Sequence, residues 1–262
     1  MITRFDHAII AVRDLAGAAE RYRAAGFEVQ DGGQHPGRGT ANAIVRFGLD
    51  YLELITVESA DAAIAAGGNS RVTAEVLAER EGGLLGYALA TNDIEGLAAR
   101  LAELGVEATG PLKGERLRPD GQRLDWRLLI PFGTSWGTPW PMFIKWNTTE
   151  AERLAVERPR NHPNGVTGVA GMQVRTDRAD LAGKLLGTEL GLVQKGDGSR
   201  VATPSGDCCI EVATGGESVE EVRLRARDLE RVQSLAGGLL ERDRLELPAE
   251  DFFGARIAVV RG

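Results

Sequence analysis

The chain is poor in cysteine, in excess positive charge and in long apolar runs, and each shortage removes a class of function. Its only cysteines, Cys208 and Cys209, are adjacent. Neighbours on a strand point to opposite faces and rarely bridge, and the spacing is not that of a zinc site. Neither a disulfide framework nor a cysteine metal centre is expected. No apolar stretch approaches the ~20 residues needed to cross a bilayer. The segment Met1 to His7 lacks the basic and apolar regions of a secretory leader, so a cytoplasmic protein without a membrane partner is expected. With 38 acidic against 31 basic residues and a net charge of -7, the chain has no general capacity to neutralise phosphates. Nucleic acid is therefore not an expected partner. The local basic run Arg223, Arg225, Arg227 and Arg231 reads as a solvated surface. Aromatic residues are only 5% of the chain, yet all four tryptophans fall between Trp126 and Trp146.

Against these shortages stand 34 glycines and a repeated pattern. Phe5 to Val12 has the composition of a strand. Asp14 then stands where a helix cap accepts a backbone N–H, Leu15 to Ala25 reads as the helix, and Gly26 ends it. Strands are expected at Phe27 to Gln30, Ala41 to Phe47 and Tyr51 to Val57. The order is β-α-β-β-β, and it recurs. Leu84 to Ala90 is a strand, Asp93 the cap, Ile94 to Leu104 the helix and Gly105 its end. Val106 to Glu107, Trp126 to Ile130 and Pro141 to Trp146 supply the remaining strands. A third unit runs from Met172 through a cap at Asp177 and a helix over Leu181 to Leu190, ending with Cys208 to Ala213. A shorter fourth has Val222 to Ala226, a cap at Asp228 and a helix over Leu229 to Leu240. Ala60 to Arg80 is an internal connector with a short helix. Arg158-Pro159 and Asn161-His162-Pro163-Asn164-Gly165 carry turn residues. The division is therefore residues 1–147, a linker over 148–165, and a degenerate second half over 166–262.

The stretch Asp6-His7-Ala8-Ile9-Ile10-Ala11-Val12-Arg13-Asp14-Leu15 resembles the opening of a vicinal oxygen chelate module. Gly48-Leu49-Asp50-Tyr51-Leu52-Glu53-Leu54-Ile55 resembles its ending. The run from Gly32 to Asn42 and the later His162-Pro163-Asn164-Gly165 resemble a glyoxalase-like branch of that superfamily. The resemblance implies an α+β fold of tandem βαβββ modules, paired into two domains, whose curved mixed sheets enclose a cavity. It implies a small-molecule ligand. It further implies that His7 and Glu53 occupy first-module metal positions, where members hold zinc, nickel, manganese or iron.

The second module does not repeat those ligands. Seven residues back from Asp14 is His7; seven back from Asp93 is Gly86. Aligning Leu52-Glu53-Leu54 with Ile144-Lys145-Trp146 puts Lys145 at the second Glu position. Two protein ligands fall short of the three that catalytic zinc sites keep, so no cofactor is firmly expected. Lys145 is instead expected to face Glu53 and to polarise a substrate carbonyl, with His7 or Glu53 as base. The alternative is a structural salt bridge. Alternation places Thr40, Asn42 and Arg46 on one face and Tyr51 beside Glu53. With His35, these are candidates for ligand binding, as are Phe143 and Trp140 among the aromatics. Two functions follow: isomerase or lyase chemistry by proton transfer on a small carbonyl- or oxygen-rich metabolite, or non-catalytic sequestration of the bleomycin-resistance type. A homodimer is expected only because homodimers are common.

Overall fold

The computed structural model describes residues 1–158 and 161–262; Pro159, half of the Arg158-Pro159 turn signal, lies outside them. The first two modules supply β1 (Ile2–Val12), β2 (Val29–His35), β3 (Thr40–Arg46), β4 (Tyr51–Val57), β5 (Gly82–Thr91), β6 (Ala108–Leu117), β7 (Arg123–Pro131) and β8 (Met142–Trp146). They close into a barrel in the order β1-β4-β3-β2-β6-β7-β8-β5. In each module the first and last strands are parallel, β1 with β4 and β5 with β8, and the modules meet antiparallel along β1 and β5. The opposite seam is slight, with only Gln34 and Leu117 in register between β2 and β6.

The repeated caps form as the sequence requires. Asp14 accepts from the Gly17 N–H at 3.0 Å to start α1 (Leu15–Ala24). Between the modules lie α2 (Ala60–Ala66) and α3 (Gly68–Glu79), two helices where one was expected, split at Gly67 with φ of 69°. Asp93 accepts from Gly96 at 2.9 Å to start α4 (Ile94–Glu103). A side chain at Gly17 or Gly96 would collide with the capping carboxylate, so the repeating unit is Asp-x-x-Gly rather than Asp alone. The glycine-rich run around Gly32 is not a loop: it is mostly β2, which turns at residues 36–39 into β3.

After α5 (Glu150–Val156) the chain forms a second curved mixed sheet. It contains β9 (Val166–Arg175), β10 (Val193–Lys195), β11 (Arg200–Ala202), β12 (Cys209–Ala213), β13 (Ser218–Ala226), β14 (Leu239–Glu241), β15 (Arg244–Glu246) and β16 (Ile257–Arg261). Their order is β10-β11-β12-β9-β13-β16-β15-β14. This is the order of the barrel, so the fourth module is topologically complete rather than eroded. The sheet stays open because β10 and β14, the counterparts of β2 and β6, do not pair. Two helical expectations shift here. The third-module helix stops early, as α6 (Ala179–Leu185) followed by a 3-10 turn over Thr188–Leu190. Asp177 does not cap it; its carboxylate accepts from Gly215 and Gly216 instead. The last helix, α7 (Leu229–Ala236), ends at Gly237, and Leu239 to Glu241 become β14.

Strand alternation sorts the core. Ala8, Ile10, Val12, Leu52 and Leu54 join Leu97 and Leu101 of α4 in an outer cluster that continues into Val169, Met172 and Leu224 of the second sheet. Ile9, Ala11, Ile55, Ala88 and Ala90 point the other way, into an inner cluster with Trp136, Met142 and Ile144. The two sheets are also tied by polar contacts. Asn164 donates to the Ala25 carbonyl at 2.9 Å, and Asp50 accepts from the Val169 N–H at 2.7 Å. His162 accepts from the Glu28 N–H at 2.9 Å, which leaves its other ring nitrogen to donate to the Arg46 carbonyl at 3.1 Å.

Candidate active site

A cavity of about 400 Å³ opens inside the barrel, within the range of small-molecule sites. The first module supplies a polar wall from His7, His35, Thr40, Asn42, Tyr51 and Glu53. The second supplies an apolar wall from Leu112, Trp126, Leu128, Ile130, Trp136, Met142, Ile144 and Trp146. The division follows from composition: β1, β3 and β4 carry polar residues on the inward face, and β7 and β8 carry none but indole nitrogen.

Glu53 is the centre of the polar wall. Its Oε2 lies 3.4 Å from His7 Nε2, and its Oε1 accepts from Asn42 Nδ2 at 2.5 Å. His35 Nε2 stands 3.8 Å from Oε1. Asn42 also donates to His35 Nε2 at 3.3 Å, so that nitrogen is an acceptor and the Nδ1–H donates to Thr40 Oγ1 at 2.9 Å. The charge states follow. Burial opposes ionisation of Glu53, but the hydrogen bond and charge of His7 outweigh it and lower the carboxyl to about 2. Burial likewise opposes protonation of His7, yet hydrogen bonds to Asp6 and Glu53 prevail and raise its pKa. With a carboxylate at each ring nitrogen, the surroundings favour the imidazolium form of His7 beside the Glu53 carboxylate. His35 is held neutral, with burial as the main cause of a pKa near 4 and the charges of Arg116 and Arg38 adding to it.

Asp6 stands behind His7 and was not among the expected site residues. Its Oδ1 accepts from His7 Nδ1 at 2.7 Å. Strict alternation would send adjacent side chains to opposite faces. Here Phe5 pairs with Leu89 and His7 with Ala88, so Asp6 is the extra residue of a β-bulge, which re-aims it toward its neighbour. Arg4 at 2.8 Å, Arg153 at 3.2 Å and the Trp146 indole at 3.0 Å all donate to its Oδ2. These contacts overcome burial and hold its carboxyl well below the usual range. A histidine with one nitrogen fixed by a carboxylate and the other facing a cavity is the arrangement of an oriented acid–base group.

Four expected residues stand elsewhere. Lys145 does not line the cavity; on β8 the inward residues are Met142, Ile144 and Trp146. Lys145 lies on the outer side, where its charge acts on Glu95 of α4. Glu53 pairs with Ile9, and Ile9's counterpart Ala88 pairs with Met142, so the alignment that placed Lys145 was out by an odd number of residues, which reverses the face. Phe143 is therefore in the outer core, fully buried, and Trp140 packs there too. Arg46 is sealed behind the wall, its guanidinium 4.5 Å above the Tyr51 ring and paired with Glu157 at 2.7 Å. Tyr51 itself is stacked on His7, ring centres 4.6 Å apart.

Few donors are present for the divalent metal that the family resemblance implies. His7 and Glu53 are ligand types at the first-module positions. In the second module, a Cβ on Gly86 would lie 2.9 Å from the Trp136 ring, so an indole occupies the space of a second histidine. Met142 and Ile144 supply no carboxylate. Among the described residues no three His, Cys, Asp or Glu are arranged to hold a metal ion. The four-ligand set does not fit.

A glyoxalase-like domain matches residues 5–190. The chain belongs to the glyoxalase-like domain family. No curated protein matches it. Among solved structures, a hypothetical protein from Staphylococcus aureus is 18% identical with a TM-score of 0.73, and the match covers 100% of both chains. A variant of 4-hydroxymandelate synthase from Streptomyces coelicolor is 11% identical with a TM-score of 0.61, covering 99% of this chain and 92% of that one. At these identities the likenesses establish the vicinal oxygen chelate fold in this glyoxalase-like chain, not a shared reaction.

Proposed function

We propose that the protein is an enzyme that moves a proton at a carbon next to a carbonyl in a small metabolite, with His7 and Glu53 as the reacting pair. The observation that carries this reading is the His7–Glu53 contact of 3.4 Å on the polar wall of the barrel cavity. At 3.4 Å this is a stretched hydrogen bond, so a substrate oxygen can take Glu53's place at the imidazolium. The oxygen then accepts from His7 Nε2–H. Glu53, released from its cationic partner, gains basicity and takes the proton from the adjacent carbon. The negative charge that develops on oxygen is met by the imidazolium, which Asp6 holds in orientation. For a hydroxycarbonyl substrate, Glu53 returns the proton to the former carbonyl carbon while His7 gives its Nε2 proton to the first oxygen and takes one from the neighbouring hydroxyl, an isomerisation with no net gain or loss of atoms. His7 thus takes the electrophilic role first expected of Lys145.

The test is solvent exchange. A panel of small hydroxyaldehydes, ketones and oxoacids is incubated with the protein in deuterium oxide and followed by proton NMR. Loss of a C–H signal next to a carbonyl is expected for at least one class. Glu53→Gln and His7→Gln are expected to slow it by roughly 10²-fold or more, the usual scale for a lost acid–base group. A second reading, sequestration without turnover, is favoured by the apolar wall of Trp126, Trp136 and Trp146. Compounds that bind tightly while none exchanges would establish it instead.

A further inference from the structure

Three indoles line the cavity, and two of them fit because a neighbouring strand gives up its side chain. Trp126 pairs in register with Gly114, where a Cβ would collide with the indole nitrogen. Trp136 fills the space over Gly86 in the same way. Glycine inside a strand weakens it and marks a close approach; here what approaches is an indole. Trp126 and Trp146 are tilted against each other with ring centres 5.0 Å apart. Both are only half-buried, as are Leu112 and Leu128 beside them. Apolar surface facing a hollow is unfavourable to leave in water.

This wall begins next to the reacting pair. The His35 and Trp126 rings meet edge to face with centres 6.3 Å apart, and His35 Nε2 stands 3.8 Å from Glu53 Oε1. Trp146 donates to Asp6, which holds His7. On either path one side chain separates indole from reacting group, so a ligand that touches both has its ring joined to its oxygens with little spacer.

Charge narrows the ligand further. Glu53 presents a carboxylate to the cavity, paired there with His7. On β6 the inward residues are Leu112, Gly114 and Arg116, while Lys113 and Glu115 point outward. Arg116 is buried against Glu157. Among the described residues Arg38, half-buried, is the one cation left at the rim. An anionic ligand would meet Glu53 without a set of cations to offset its desolvation.

We propose that the ligand is an uncharged hydroxycarbonyl compound with an aromatic body, its ring against Trp126 and Trp146 and its oxygens toward His7 and Glu53. This deepens the functional reading above and rests on the same cavity being the site of reaction. A ring adds stacking on the indoles to the burial of its own area; a compound without one leaves the wall wet.

The probes are 2-hydroxyacetophenone, hydroxyacetone, which lacks the ring, and benzoylformate, which keeps the ring but carries a carboxylate. Each is titrated by calorimetry. The first is expected to bind about tenfold or more tightly than either of the others. Trp126→Leu is expected to weaken it severalfold and to leave hydroxyacetone unchanged, whereas Trp126→Phe, which keeps a ring, retains most of the affinity. Should Trp126→Leu fail to fold, the three probes on the unaltered protein decide alone. Failure of 2-hydroxyacetophenone to bind, or equal affinity for either other probe, overturns the proposal. The same samples in deuterium oxide distinguish ligand class from reaction. Binding of 2-hydroxyacetophenone without loss of its methylene C–H signal keeps the ligand class and removes proton transfer. Exchange of hydroxyacetone by a protein that does not bind 2-hydroxyacetophenone removes the ligand class and keeps proton transfer.

Discussion

Asp6 and His7 show how far single residues can be read from a sequence. His7, Asn42 and Glu53 come together because strand alternation places each on an inward face, and alternation is visible in sequence; His35 joins them from the end of β2, a strand hidden by its glycines. Asp6 was hidden because the bulge that turns it toward His7 suspends that rule for one residue. Lys145 was misplaced by the same sensitivity, since an odd offset in β8 exchanges wall for exterior. The carboxylate behind His7 gives a direct prediction. Asp6→Asn removes the acceptor that favours the imidazolium, so the His7 pKa is expected to fall, read as a shift of its NMR titration midpoint to lower pH. Exchange activity is expected to drop with it, and an unchanged titration would refute the orienting role.

The same residues set the pH dependence of stability. His35 is depressed from 6.5 to about 4, so between those values the unfolded chain takes up a proton that the folded one refuses, and stability falls as pH falls. Glu53, depressed from 4.5 to about 2, continues the loss below that window. His7 has the opposite sign: its raised pKa contributes stability below 6.5 that is lost as pH rises through the folded value. The melting temperature is therefore expected to decline on both sides of a maximum. His35→Gln is expected to flatten the limb between pH 6.5 and 4, in circular dichroism melts at several pH values. His162, also depressed chiefly by burial, leaves part of that limb in place.

At the scale of elements, the capped helices were the most legible feature, because Asp14 and Asp93 satisfy N–H groups that every helix start leaves open. Asp14→Ala and Asp93→Ala are each expected to cost about 0.5–2 kcal/mol in denaturant melts. The third-module helix was overextended because an apolar pattern continued past Leu185 into a 3-10 turn, and periodicity alone does not distinguish the two. The long β6–β7 hairpin was read only at its ends, since Gly110, Pro111 and Gly114 obscure a strand pattern. Trp136 against Gly86 gives a test of how the second module lost its ligand position. Gly86→Ala is expected to destabilise by about 1–3 kcal/mol through overpacking. Combined with Trp136→Ala, the two changes are expected to be less than additive, as a double-mutant cycle would show.

Across the whole molecule, the modular repeat was visible, but the way the second sheet leans on the barrel was not. That contact uses Ala25, Arg46 and Asp50 of one half and His162, Asn164 and Val169 of the other, residues too far apart in sequence for any local pattern. The outer apolar cluster runs through both sheets without a break. A single cooperative unfolding transition is therefore expected in calorimetry, and Asn164→Ala is expected to lower it by about 1–3 kcal/mol through the unsatisfied Ala25 carbonyl. Two separated transitions would show that the sheets fold independently.

The distribution of indoles has a practical result. Every tryptophan belongs to the barrel's second module, three of them in the cavity wall, and the open sheet has none. Emission excited at the red edge of the protein spectrum thus reports from one half of the chain, and occupancy of the hollow is readable by eye of a fluorimeter without dye, tag or isotope.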